Sequence, residues 1–179
     1  MQNRIVIKKK INNYNKKIII PGDKSISIRW VLISSLSNGI SKAQNLLISD
    51  DVLAAINSIK KLGVKVVNKN GICKIYGVGV NGFKYKKNLV IDAQNSGTLG
   101  RLISGILIDT PFPIKIIGDK SLSKRDFNRI AKPLRKFGAH LKLKNNYTLP
   151  LTIKGSQNLK PIRYLEDKGS AQVKSSIIF

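Results

Sequence analysis

The sequence predicts an α+β fold built from a repeated β-α-β-α-β-β unit whose helices pack inward, with a third unit only begun. Two observations carry this. Apolar residues recur at helical spacing in two pairs of segments, and each second segment stops at a glycine, Gly63 or Gly138, followed by alternating strand-like residues. Arg29 and Arg101 also hold matching places in the first helical segment of each half.

In the first half, Ser27 to Leu36 shows helical spacing through Ile28, Val31 and Leu32 and stops at Asn38-Gly39. Ala43 to Ile48 reads as a strand. Ser49-Asp50-Asp51 offers short polar side chains to cap a helix whose apolar face is Val52, Ile56, Ile59 and Leu62. Val64 to Val67 and Ile72 to Tyr76 flank Asn68-Lys69-Asn70-Gly71, a hairpin signature. The second half repeats the order: a helix from Thr98 to Leu107, a strand Ile114 to Ile117, a helix from Asp126 to Phe137, then strands near Leu141 to Leu143 and Leu149 to Ile153. Ser170 opens a further helical run that is unfinished at Phe179, so the chain is expected to be a fragment, with Val173, Ile177 and Phe179 short of partners. Residues 1–20 are expected to form a strand segment leading toward a second domain, and 21–179 an incomplete domain with units at about 21–84, 85–155 and the start of a third.

Charge narrows the function. The 33 Lys and Arg residues against 9 Asp and Glu give a net charge of +24, which implies an anionic partner. Most lysines fall in doublets such as Lys60-Lys61 and Lys86-Lys87, an ordinary solvated surface, so individually placed charges carry more weight than the total. No apolar run approaches a membrane span and no export signal opens the chain. The single cysteine, Cys73, reads as a core residue and fits a reducing cytoplasm. His140, in a strand-like run, reads as surface or structural rather than catalytic.

If the first helices of successive units lie side by side, their N-termini share one end of the domain, where free N–H groups and helix dipoles favour anions. The residues there suit that use. Lys24, Ser25 and Arg29 stand at the first start, with lysine as a point charge and arginine as a two-pronged donor. At the second, Asn95-Ser96-Gly97-Thr98 places a glycine where backbone can approach a ligand closely, three residues before Gly100-Arg101. Ser170 and Gln172 stand at the third, and the polar loop Gly118 to Arg125 ends immediately before a helix.

Four segments, Pro21 to Arg29, Asn95 to Arg101, Gly118 to Arg125 and Ser170 to Ser175, together resemble the motifs of the enolpyruvyl transferase family, specifically its shikimate-pathway branch, in the family's order. The resemblance runs from about Ile18 to the end and covers only the first part of the family's chain. It implies transfer of the enolpyruvyl group of phosphoenolpyruvate to the 5-hydroxyl of shikimate 3-phosphate, with release of phosphate and no metal or organic cofactor. By motif, Lys24, Ser25, Arg29, Ser170, Ala171 and Gln172 would hold shikimate 3-phosphate. Lys24, Gly97, Arg125 and Gln172 would hold phosphoenolpyruvate, with Asn95, Thr98 and Arg101 in support. Acid and base groups would lie in the missing part, so no catalytic residue is assigned here and the isolated chain is expected to show no turnover.

Three positions depart from the family's pattern: Ile28 in place of His or Asn, the pair Leu99-Gly100, and Asp126 in place of Pro after Arg125. Asp126 either caps the helix or weakens the pull of Arg125 on substrate. The family reading implies small anionic partners, no specific nucleic acid, no membrane, a monomeric full-length enzyme and a cytoplasmic location. The alternatives are a UDP-sugar enolpyruvyl transferase, against which the Lys24-Ser25-Ile26-Ser27-Ile28-Arg29 signature stands, and a basic nucleic-acid-binding domain, against which the absence of an aromatic stacking platform stands.

Overall fold

A computed structural model describes residues 5, 6, 8–10, 13, 15, 17–167 and 169–179. The first half runs α1 (Lys24–Ser35), β1 (Asn38–Gln44), α2 (Asp50–Lys61), β2 (Lys65–Lys69), β3 (Ile72–Val78). The second runs β4 (Leu89–Asp92), α3 (Gly97–Ile106), β5 (Ile114–Ile117), a 3₁₀ turn Leu122–Lys124, α4 (Asn128–Lys136), β6 (His140–Lys144), β7 (Thr148–Lys154). A final helix, α5 (Ala171–Ile178), follows. Two sheets result, one of three strands in the order β1-β3-β2 and one of four in the order β4-β5-β7-β6. All pairings are antiparallel except β4 with β5.

Local chemistry explains where the elements differ from the sequence reading. α1 begins at Lys24 rather than Ser27 because the Asp23 carboxylate accepts the Ile26 N–H at 2.7 Å and caps the helix there. β1 begins at Asn38, inside the expected helix stop, because all seven of its residues find antiparallel partners on β3. Gly39, at φ +144°, lies opposite Gly77, and a Cβ on Gly77 would meet the Ser37 and Ser34 carbonyl oxygens at 2.3 and 2.5 Å. The sequence reading missed β4, an edge strand defined by its parallel pairing with β5. The glycine stops hold: Gly63 and Gly138 take φ of +89° and +108°, the left-handed conformation that ends a helix.

The first sheet has one strand fewer than the second. Among the described residues no strand precedes α1, and Ile18, Ile19 and Ile20 are exposed. Much of the expected N-terminal strand (residues 1–4, 7, 11, 12, 14 and 16) lies outside the described residues.

The helices pack against each sheet's inner face, and α3 is the most enclosed, with only Thr98 of its ten residues not buried. α5 runs along α3 so closely that a Cβ on Gly105 would meet the Ser176 carbonyl oxygen at 2.1 Å. Val173 is buried, and Ile177 and Phe179 are partly buried against the core, so these side chains do find partners. None of the three is left exposed; the exposed apolar residue of this run is their neighbour Ile178, at 80%. Cys73 is a buried free cysteine, as read from the sequence. No helix among the described residues is long and apolar enough to cross a membrane.

Candidate anion site at the helix starts

Four helix starts surround one cavity of about 560 Å³. Lys24 comes from α1, Asp50 and Asp51 from α2, Gly97 and Thr98 from α3 with Asn95 just before it, and Gln172 from α5; Asp119 and Arg125 complete the wall. Three of the four starts are capped by a side chain. Asp23 caps α1, the Ser96 hydroxyl accepts the Leu99 N–H at 3.3 Å, and the Ser170 hydroxyl accepts the Val173 N–H at 3.4 Å. The converging N-termini present their positive dipole ends to the cavity.

Gln172 is held at both ends of its amide. Its oxygen accepts from Arg101 Nη1 at 2.7 Å and its nitrogen donates to Thr98 Oγ1 at 3.1 Å, which fixes the orientation of the group and leaves one amide hydrogen for a ligand. Arg101 is buried to 8% exposure, stacks on Phe127 with its guanidinium 5.0 Å from the ring centre, and donates from Nη2 to the Asp126 carbonyl at 3.1 Å. Burial, then the neighbouring Arg129 and Arg125 charges, pull its pKa below the usual guanidinium range. Its Nε, like that of Arg129, is buried without a partner.

Arg125 is exposed and reaches back across the loop, donating to Asn95 Oδ1 at 3.1 Å. Asn95 in turn donates to Asp119 Oδ2 at 2.6 Å, and Asp119 Oδ1 accepts the Leu122 N–H at 2.7 Å. The Leu122 bond is the main reason that the Asp119 carboxyl sits below the usual range. Gly97 leaves room where these arginines meet, because a Cβ there would lie 2.9 Å from Arg101 Nη1 and 3.3 Å from Arg125 Nη1 and would push them aside.

The expected site residues therefore divide. Lys24, Asn95, Gly97, Thr98, Arg125 and Gln172 line the cavity, with Arg101 directly behind Gln172. Ser25, Arg29, Ser170 and Ala171 lie outside its lining. Arg29 spans from α1 to α5, donating to Ser175 Oγ at 3.3 and 3.1 Å and to the Ser25 carbonyl at 3.2 Å, while Ser175 donates to the Ala171 carbonyl at 2.8 Å. Lys24 is ion-paired with Asp51 at 3.1 Å.

Sequence reasoning missed Asp51, Asp119 and Arg129. Asp119 stands in the polar loop already singled out, but Arg129 has no motif around it. It donates to Ser170 Oγ at 2.7 Å and lines a neighbouring cavity of about 520 Å³ with Lys132, Tyr147 and Tyr164. The Ser170 hydroxyl thus accepts twice and keeps its own hydrogen to donate.

The sequence model of the family described as EPSP synthase (3-phosphoshikimate 1-carboxyvinyltransferase) matches residues 8–179. The chain belongs to this family. Curated relatives named 3-phosphoshikimate 1-carboxyvinyltransferase include those of Streptococcus suis, 42% identical over 97% of this chain and 41% of the relative, and Streptococcus mutans, 45% identical over 89% and 38%. A solved EPSP synthase from Acinetobacter baumannii superposes with a TM-score of 0.85 at 40% identity, covering 90% of this chain and 37% of that one. The chain thus spans about two fifths of the length of the EPSP synthases it matches.

Ile28, Gly100 and Asp126 each have a local explanation. Ile28 is fully buried in the core. Gly100 makes room for Phe127, whose ring would lie 3.1 Å from a Cβ placed there. Asp126 caps α4, its Oδ1 accepting the Asn128 and Arg129 N–H groups at 2.7 and 3.3 Å, so its carboxylate is turned toward the helix while Arg125 pairs with Asn95.

Proposed function

We propose that this chain supplies the shikimate 3-phosphate site and part of the phosphoenolpyruvate site of an EPSP synthase. The reaction joins the 5-hydroxyl oxygen of shikimate 3-phosphate to C2 of phosphoenolpyruvate and breaks the bond from C2 to the phosphate oxygen, releasing inorganic phosphate. The observation that carries the reading is the convergence of Lys24, Gly97, Arg125 and Gln172 from four separate segments on one cavity. In this reading Lys24 neutralises charge between the two anions, the Gly97 N–H and Arg125 hold phosphoenolpyruvate, and Gln172 bridges both ligands. Ser25, Arg29, Ser170 and Ala171 hold the shikimate phosphate, with Asn95, Thr98 and Arg101 keeping Arg125 and Gln172 in place.

Arg29 shares its donors with Ser175 until ligand arrives, and Lys24 exchanges Asp51 for a ligand anion. The opposite wall of the cleft, the acid and base groups and the closure that excludes water belong to a second domain. The complete enzyme is cytoplasmic and monomeric, and this chain alone binds but does not turn over. Calorimetric titration with shikimate 3-phosphate, UDP-N-acetylglucosamine and inorganic phosphate tests the reading. Preferential binding of shikimate 3-phosphate is expected; preference for the UDP-sugar, or equal binding of all three, overturns it.

A further inference from the structure

The second concentration of positive charge lies on the other side of the four-stranded sheet. On β5, β6 and β7 the inward residues Ile114, Ile116, Leu141, Leu143, Leu149, Leu151 and Ile153 are buried. The alternate residues face outward, and they include Lys115, His140, Lys142, Lys144 and Lys154. The register sets Lys142 opposite Thr152 and Thr152 opposite Lys115, a row across three strands, and sets His140 opposite Lys154. No carboxylate occurs on these strands; the one on the sheet's outer face, Asp92, is on β4, the edge strand beside β5.

At the corner between α4 and β6 the face deepens into a cavity of about 570 Å³, lined by Arg135, His140, Lys142 and Lys154 and by no acidic residue. Arg135 is fixed there, with Nε and Nη2 donating to the Leu141 carbonyl at 3.0 and 2.7 Å. Clustered like charges repel one another, and an anionic partner relieves that cost. The substrates of the helix-start cavity cannot serve, because the sheet lies between. The partner must also be extended, since the cations spread over three strands. Along β6 the alternate residues His140, Lys142 and Lys144 recur about every 6.8 Å, and one nucleic-acid strand carries a charge about every 3.4 Å, so these positions fall at about every second phosphate. A lipid surface fits less well, because these strands expose no large apolar side chain for insertion.

We propose that the outer face of β5, β6 and β7 docks nucleic acid through its phosphate backbone, without reading sequence. Fluorescence anisotropy with a labelled 20-base-pair duplex of random sequence, in 50 to 200 mM salt, tests this. Four lysines in contact predict a slope of log affinity against log salt between about −3 and −4, roughly a hundredfold loss over that range. The variant with Lys115, Lys142, Lys144 and Lys154 all changed to Gln should lose at least about tenfold in affinity at 50 mM salt, with most of the slope, and still bind shikimate 3-phosphate. A control of equal net charge, with Lys60, Lys69, Lys84 and Lys86 changed to Gln, should keep both. Circular dichroism checks folding, and the double variant Lys142→Gln, Lys154→Gln, expected to reduce the slope by about 2, serves if the quadruple variant unfolds. Equal losses in the two quadruple variants overturn the proposal. So does absence of duplex binding at 50 mM salt, or binding to vesicles of anionic lipid in place of the duplex.

Discussion

Arg29 and Arg101 both lie in the second turn of a helix, α1 and α3, yet they sit in different surroundings. Arg101 lies on the enclosed central helix, nearly out of water, with Gln172, the Asp126 carbonyl and the Phe127 ring around it. Arg29 is only partly buried, and its main contact is a serine hydroxyl on α5. What differs is whether the cation is bound into the core. A guanidinium held as Arg101 is can orient another side chain, whereas one held as Arg29 is can trade a weak partner for a ligand oxygen.

The largest expected effect tests the rigid side of this contrast. Arg101→Ala leaves the Gln172 oxygen and the Asp126 carbonyl without their donor and removes a ring contact, and should cost about 3 kcal/mol in urea unfolding. Arg29→Ala should cost about 1 kcal/mol in the same measurement. Equal losses would break the comparison.

Next in size is Lys24→Ala, which should weaken shikimate 3-phosphate binding by about 1.5 to 3 kcal/mol, one to two powers of ten. Stability should change by less than about 0.5 kcal/mol, because the Lys24 side chain is half exposed in its pair with Asp51. Gly97→Ala should push the two Nη1 groups apart and lower anion affinity roughly tenfold, about 1.4 kcal/mol, in the same titration. Asp126→Ala removes the carboxylate that caps α4 and should lower stability by about 1 kcal/mol while leaving anion affinity unchanged. A rise in affinity would mean that the carboxylate does oppose Arg125.

The smallest effect is a pH dependence. Asp119 is exposed, and its carboxyl is held low chiefly by the Leu122 N–H, so the order it gives the loop is complete above the usual aspartate pKa of about 3.9 and is lost only as pH falls through its lower folded value. The Leu122 amide shift, followed by NMR, should titrate with a midpoint below that of a free aspartate. A midpoint above it would contradict the described loop.

Elements with several apolar turns or a glycine stop were legible in the sequence, because burial and backbone geometry act through residues close together in the chain. α2 and α4, the two glycine-ended helices, are of this kind. Boundaries decided by a partner were not: β1 extends back to Asn38 because β3 is there to pair with it, and β4 exists because β5 lies alongside. The site followed the same division. Lys24, Gly97, Arg125 and Gln172 were named from local motifs, and they do share a cavity. The ion pair from Lys24 to Asp51 and the bond from Arg129 to Ser170 join distant segments and had no local signature. Asp126 shows the limit most clearly, since its identity allowed two roles and only the direction of its carboxylate shows that it caps α4.

Whether a placed site or general positive charge draws the anion is decided by comparing Lys24→Ala with Lys60→Ala. Both changes remove one unit of a net charge of +24, but Lys60 lies at the end of α2 and does not line the helix-start cavity. Isothermal titration of shikimate 3-phosphate into the two variants and the unaltered chain should show a loss of about ten- to a hundredfold for Lys24→Ala and none for Lys60→Ala. Equal losses for the two would contradict the account.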